Sequence, residues 1–362
     1  MEYRRLGRTE LNVSVIGFGT IKFPQVDADE ANRALNRALD LGINYIDTAR
    51  AYQDSESKIG AAIKDRRDEY IIATKSVTRD AAGARKDLET SLNELGIEYV
   101  DVWKIHSVSD GDMFKQVMAP GGSLSAAKKA RAEGKINHIG LSMHRDLKTM
   151  KAAINSDEFE VILLPHSIIN QEGVEDEVIP MAKEHDMGIV IMKPFSDGLL
   201  ISNMSAEERQ RADYDPIARG SLRFVASNEA ISVVIPGMRN VKEVEENVAV
   251  GNMTEPLNDE ELKELLAEIG KLGREFRYGQ TCLMRCKYCE DVCPENIEIS
   301  KVYRAVVMAT SYPNNLKSMG AELYNSLDVK PSACTECQKC LDVCIANLSI
   351  IERMKDAASM FS

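Results

Sequence analysis

The sequence predicts an α/β protein: a (β/α)8 barrel over residues 1–273, then a small α-helical, cysteine-rich domain over residues 274–362. Three observations carry this. Helix-length amphipathic segments ending in glycine recur, each followed at once by a short β-branched run, as in "ALNRALDLGINYIDTA", "SLNELGIEYVDVWKIH", "AKKARAEGKINHIGLS" and "MAKEHDMGIVIMKPF". Eight such strands fall within the first 240 residues, which suits a barrel of about 250 residues. All eight cysteines lie between Cys282 and Cys344.

In chain order, "YRRLGRTELNVS" alternates around Gly7 and predicts a hairpin closing the bottom of the barrel. The strands are "VSVIGFG", "NYIDTA", "YIIATKS", "VDVWKIH", "INHIGLS", "EVILLPH", "GIVIMKP" and "ISVVIPG". Each is too apolar to have a wet face, so the sheet is parallel and buried. Gly42, Gly96, Gly134 and Gly188 suit the left-handed residue that ends a helix. A doubly wound sheet would want GxGxxG after its first strand, and none is present. "DEELKELLAEIGKL" completes the outer ring of helices, with a linker near "LGREFRYGQT".

The chain has 362 residues, 44% hydrophobic and 28% charged, which is the composition of a folded, soluble protein. Net charge is −12, and residues 274–362 hold 11 Lys+Arg against 11 Asp+Glu, so the acidic excess sits on the first 273 residues. That argues against nucleic acid as a partner. No run of about 18 apolar residues and no export signal is found. A cytoplasmic protein without a membrane anchor is expected, with its cysteines as reduced, metal-binding thiolates.

In a barrel, polar residues at the carboxyl ends of strands line the active site. Asp47, Lys75 and His106 end the second, third and fourth strands, and Tyr52 lies in the loop after the second. A tyrosine is a weak acid, with an ordinary pKa of about 10. A neighbouring ammonium favours its phenolate, and a carboxylate keeps that ammonium charged and fixed. Tyr52, Lys75 and Asp47 make such a relay, and His106 can orient a carbonyl by hydrogen bonding its oxygen. His144 and His166 end the next two strands. A three-histidine metal site is the alternative to pocket-shaping or structural roles, which are the expectation.

"NYIDTARAYQDSESKIGAAI", "IIATKS" and "VDVWKIH" resemble the three catalytic segments of the aldo-keto reductase superfamily, a TIM-barrel family, over roughly residues 1–270. The resemblance implies a catalytic tetrad of Asp47, Tyr52, Lys75 and His106 in an NAD(P)H-dependent aldehyde or ketone reductase. It places Ser142, Met192, Lys193 and Pro194 at the nicotinamide. Gly237, Arg239, Asn240, Glu246 and Asn247 fall in the adenine-ribose segment "VIPGMRNVKEVEEN". Three usual contacts are replaced: Met143 stands for an asparagine, Leu163 for a glutamine and Met192 for an aromatic residue. Arg239 suits a 2′-phosphate and Glu243 would repel one, so NADP and NAD both stay open.

The cysteines form two runs, Cys282-x3-Cys286-x2-Cys289-x3-Cys293-Pro294 and Cys334-x2-Cys337-x2-Cys340-x3-Cys344. The second run has bacterial ferredoxin spacing without its usual trailing proline, and the first is one residue longer at its opening gap; in such two-cluster ferredoxins the fourth cysteine of a run serves the other cluster. Two [4Fe-4S] clusters are expected, one on Cys282, Cys286, Cys289 and Cys344 and one on Cys293, Cys334, Cys337 and Cys340. Zinc is the competitor, although zinc ribbons use separated Cys-x2-Cys pairs. Helical character in "SKVYRAVVMATSY" and "LKSMGAELYNSL" resembles an α-helical ferredoxin, as in the aldo-keto reductases that carry a C-terminal ferredoxin-like domain.

The expected function is an oxidoreductase interconverting a small carbonyl compound and an alcohol, with clusters serving structure or electron transfer to an external partner. Two alternatives are a barrel recruited to elimination or isomerisation of a hydroxy or keto substrate, and a redox-sensing binding protein.

Overall fold

The structure, a computed structural model, describes residues 1–144, 146–169, 173–201, 215–272, 282, 288–311, 314–344 and 348–361. Strands β1 (Tyr3–Arg5) and β2 (Asn12–Ser14) pair antiparallel, which is the hairpin expected around Gly7. Eight parallel strands follow: β3 (Phe18–Gly19), β4 (Tyr45–Asp47), β5 (Ile71–Ser76), β6 (Val100–Val108), β7 (Ile136–Met143), β8 (Val161–Pro165), β9 (Gly188–Met192) and β10 (Val233–Val234). Each pairs with its sequence neighbour. The last returns to the first, because Gly17 donates to Val234 O at 2.8 Å and Val234 donates to Val15 O at 2.8 Å. The sheet is therefore closed, and a strand buried on both faces is why these runs are apolar throughout.

Helices α1 (Ala28–Asp40), α2 (Ser55–Ile63), α3 (Ala81–Leu95), α4 (Gly111–Met118), α5 (Ser123–Ala132), α6 (Leu147–Asn155), α7 (Ile179–Glu184), α8 (Pro216–Ala226) and α9 (Val241–Gly251) form the outer layer. Their starts are marked in sequence: Asp27, Asp80, Asp110, Asp146, Asp215 and Asn240 each cap a helix by accepting from its first-turn N–H groups. The last helix of the ring, α10 (Asp259–Lys271), buries Leu265, Leu266 and Ile269 beside Ile217 of α8.

Side chains alternate between two cores. Val102 belongs to the barrel interior with Tyr45, Ala73, Val161, Leu163, Val190 and Val233, while Trp103 and Ile105 face the helices. Leu6 and Val13 of the hairpin seal the lower end of the interior.

Two expectations are corrected. "VSV" does not lie wholly in the first barrel strand: Val13 and Ser14 belong to the hairpin, and the strand proper is Phe18–Gly19. Gly42, Gly96 and Gly134 are left-handed as expected, but Gly188 opens β9, and Asp186 takes the left-handed turn at φ 50°. Gly188 is glycine because a Cβ there would strike the Leu6 side chain.

Beyond the barrel lie α11 (Tyr288–Asp291), α12 (Ile299–Ser311), α13 (Asn314–Asn325), α14 (Lys339–Asp342) and α15 (Ile350–Met360), so both stretches read as helical are helical. Val302, Tyr303, Val306, Tyr324, Ile350 and Met354 make a separate core that includes Cys289 and Cys340. The expected linker and the boundary at 273/274 lie outside the described residues. Among the described residues, no helix is long and apolar enough to cross a membrane.

Gly7 and Gly134 are both left-handed, at φ 51° and 72°, yet differ in surroundings. A Cβ on Gly7 would fall inside the backbone of Met187 and Gly188, whereas one on Gly134 meets nothing within 4 Å. Gly134→Ala should cost about 1 kcal/mol for the left-handed backbone alone. Gly7→Ala adds overpacking of about 1–3 kcal/mol, and urea midpoints for the two variants should separate accordingly.

Candidate active site and cysteine pocket

Strand order puts β4, β5 and β6 side by side, so Asp47, Lys75 and His106 meet at one arc of the carboxyl rim. Asp47 and Lys75 are almost wholly buried, at 2% and 1% exposure. Lys75 Nζ donates to Asp47 Oδ1 and, at 2.6 Å, to Thr48 O. It also stands 4.9 Å from the centre of the Tyr52 ring. Tyr52 meets His106 edge-to-face, with ring centres 5.9 Å apart. The four residues predicted from sequence thus form one contiguous group.

A fifth member was not anticipated. Lys104 is wholly buried, and its Nζ donates to Asp47 Oδ2 and, at 3.0 Å, to the Tyr45 hydroxyl oxygen. Alternation along "VDVWKIH" was the available signal, since Lys104 shares the inward face with Val102 and His106. Gly140 on β7 leaves room for it: a Cβ there would lie 2.8 Å from Lys104 Cγ. Burial by itself would raise the Asp47 carboxyl, but Lys104 and Lys75 outweigh it and hold the pKa below the ordinary value.

His106 is pushed down to about 3, first by burial and then by the charges of Lys75 and His144. It is therefore a neutral imidazole at ordinary pH. Its aim is set by a bulge: pairing between β6 and β7 shifts register between Ile105 and Val108, and Ser107 is left-handed at φ 57°. Ser107 N donates to Ser142 Oγ at 2.7 Å, so Ser142 pins the bulge.

The residues expected at a nucleotide are placed as follows. Met192 ends β9, half-buried against the barrel interior; Lys193 follows it, exposed at φ 59°, and Pro194 is buried. Met143 is fully buried in the helix-side core and Leu163 lies in the barrel interior, so neither offers a polar group. Gly237 is exposed beside Gly19 of β3, and its Cβ position is open apart from Ile21 and Lys22 side chains at 3.5 and 3.4 Å. Asn240 caps α9, Asn247 is buried on it, and Glu246 stands 3.8 Å from Lys242. Arg239 donates to Glu243 Oε1 through Nε at 3.0 Å and Nη2 at 2.6 Å. Ile21 and Val77, both on rim loops, expose 54% and 49% of their surface. Such apolar side chains at the mouth leave a surface for a ligand to cover.

His166 is buried against Phe224 of α8, with ring centres 6.2 Å apart, and His144 is the histidine whose charge reaches His106. Among the described residues, no three His, Cys, Asp or Glu side chains are gathered for a single metal ion.

In the tail, Cys286 lies outside the described residues, and no disulfide joins the other seven cysteines. A small pocket is lined by Cys293, Cys334, Cys337 and Cys340, walled by Ile297, Ile299, Ile350, Ile351 and Met354. These four are the set expected for the second cluster, one from the first run and three from the second. Cys344 Sγ accepts from Leu348 N at 3.5 Å. Cys282 and Cys344 both press on buried Tyr303, whose hydroxyl is pushed up out of its ordinary range, by burial first and then by Cys282.

Comparison with known proteins agrees with the barrel. Residues 15–216, more than half of the chain, match the Aldo/keto reductase family. An uncharacterized oxidoreductase, YqkF, of Bacillus subtilis is 25% identical over 73% of this chain and 95% of its own length. L-galactose dehydrogenase of Arabidopsis thaliana is 29% identical over 74% and 93%. Among solved structures, an aldo-keto reductase from Bacillus halodurans in its holo form has a TM-score of 0.62 at 25% identity, covering 77% of this chain and 99% of that one. Roughly a quarter of this chain is thus additional to such relatives. The closed parallel barrel with Asp47, Tyr52, Lys75 and His106 gathered at its rim is explained by descent: the chain is an oxidoreductase that belongs to the aldo/keto reductase family.

Proposed function

We propose that this enzyme interconverts an aldehyde or ketone and the corresponding alcohol by hydride transfer with NADP or NAD, and that residues 274–362 form a ferredoxin-like domain with two [4Fe-4S] clusters. The observation carrying the first part is the contact chain from Asp47 through Lys75 to Tyr52 and His106. Tyr52 gives its proton to the substrate oxygen while His106, neutral, donates a hydrogen bond that orients the carbonyl. Lys75, charged and fixed by Asp47, stabilises the phenolate left behind. A bound nicotinamide supplies the hydride to carbon. Ser142, Met192, Lys193 and Pro194 would hold that end, and Gly237, Arg239, Asn240, Glu246 and Asn247 the nucleotide end. Open space at Gly237 and bare Ile21 support a ligand there. Glu243 already occupies Arg239, so a 2′-phosphate must compete with a carboxylate, which favours NAD. Leu163, with no polar atom for a carboxamide, is the observation that favours the second reading, elimination or isomerisation on the same residues.

Anaerobic titration with NADH and NADPH tests the first part, and failure to bind either removes it. Tyr52→Phe should bind nucleotide normally and lose carbonyl reduction by about 10²–10⁴-fold, as for loss of a general acid. Retained turnover would put the proton donor elsewhere.

Asp47→Asn leaves two buried ammonium groups without an anion and should cost about 3–5 kcal/mol, whereas Lys104→Met leaves a one-to-one pair and should cost far less. Denaturant midpoints compare them, and equal losses would mean that Asp47 does not hold the lysines together.

For the tail, the supporting observation is the pocket shared by Cys293 and the second run. Anaerobically prepared protein should contain about eight iron and eight sulfide per chain. Cys344→Ala should damage the cluster assigned to Cys282, Cys286 and Cys289 by electron paramagnetic resonance; damage confined to the other cluster refutes the crossing. Two clusters side by side suit electron transfer to an external partner, although no flavin motif is present to split a hydride pair.

A further inference from the structure

The barrel mouth carries more positive charge than its tetrad accounts for. Lys75 and Lys104 share one carboxylate, Asp47, and all three are buried. Buried Glu56 pairs with Arg50, which Glu94 also meets at 3.0 Å. A third cation, Arg79, lies in the loop between β5 and α3. Its Nη2 donates to His106 O at 2.7 Å and Ser107 O at 2.9 Å, which places the guanidinium beside the bulge that aims His106. Its Nη1 is buried with no acceptor, and among the described residues it forms no ion pair. Asp110 is the acid whose charge reaches it, but that carboxylate accepts from Asp112 N and Met113 N to cap α4. Lys75 and Arg79 both reach His106 with their charge, and of the two only Arg79 forms no ion pair among the described residues.

Arg79 is half-buried, and an N–H pair that is shut from water without an acceptor costs free energy unless an anion meets it. The nucleotide does not supply that anion on the reading above, because its nucleotide end lies beyond β10, three strands round the ring from β5. We infer that the substrate itself is anionic: a carbonyl compound bearing an oxoanion, carboxylate or phosphate, which Arg79 holds while the carbonyl meets Tyr52 and His106. This rests on the proposed carbonyl reduction and adds the substrate class. Arginine suits the task because its planar fork matches either oxoanion.

The test uses two substrate pairs with the full-length, cluster-loaded enzyme: succinic semialdehyde against butanal, and glyceraldehyde 3-phosphate against glyceraldehyde. At least one charged member should be preferred in kcat/KM, and which one distinguishes carboxylate from phosphate. Arg79→Gln should shrink that preference by roughly tenfold to a hundredfold, the range for a hydrogen bond to a charged group. Arg79→Lys should retain part of it. A preference that survives Arg79→Gln, or equal losses on charged and neutral substrates in both variants, overturns the inference by making Arg79 a structural tie. Calorimetry with succinate and inorganic phosphate reads the same site without turnover. Binding of one anion to the native enzyme and its loss in Arg79→Gln supports the inference; binding of neither overturns it. If the enzyme reduces no carbonyl but binds an anion through Arg79, the reaction is wrong and the anion site stands.

Discussion

The site depends on a carboxylate almost wholly shut off from solvent. Asp47 sits at the end of β4 with a lysine on either oxygen, one from β5 and one from β6. Three adjacent strands are thereby joined through side chains as well as backbone. The arrangement survives burial only because each charge has partners: Lys75 also reaches Thr48 O and Lys104 also reaches the Tyr45 hydroxyl. Everything above it inherits this order. Lys75 is fixed, so its ammonium faces Tyr52; Tyr52 in turn packs against His106. Burial first, and then the charge of Lys75, keep the imidazole neutral against the opposing pull of Asp47.

Much of this was legible in the residues, for physical reasons. Strands buried on both faces must be apolar throughout, so "EVILLPH" and "GIVIMKP" could not be mistaken for surface. Most helix starts carry capping acids, and three helix ends carry left-handed glycines, Gly42, Gly96 and Gly134. What escaped lacks such a mark. Lys104 reads as a break in an apolar strand until its inward partners are considered together. Nothing in "HSV" announces that Ser107 is left-handed, because the bulge is created by pairing with β7. Gly188 looked like a helix end, although its lack of a side chain serves the approach of Leu6 from the other end of the chain. Arg79 was invisible because its importance lies in the partner it lacks.

The tail follows a different logic. Its core is small, and cysteines are part of it: Cys289 and Cys340 are as buried as the neighbouring aliphatic residues. The grouping of thiols in space differs from their grouping in sequence at one position, since Cys293 lines a pocket with Cys334, Cys337 and Cys340 of the second run. α12 and α13 separate the two runs in sequence, and their packing brings the two ends together. A helical hairpin does there what long loops would do poorly, because it shortens the unordered chain that must be closed.

Closure of the barrel has a kinetic side. The seam joins residues 15–19 to residues 234–237, so its hydrogen bonds wait on nearly the whole barrel being made. Contacts of such sequence separation form late, after local βα pairs have ordered. Until then β3 and β10 are open edges, each able to pair with another chain. Both edges are very short, two residues apiece, which limits that hazard during synthesis. The two shortest strands of the sheet thus lie at the seam, where the barrel closes last to itself.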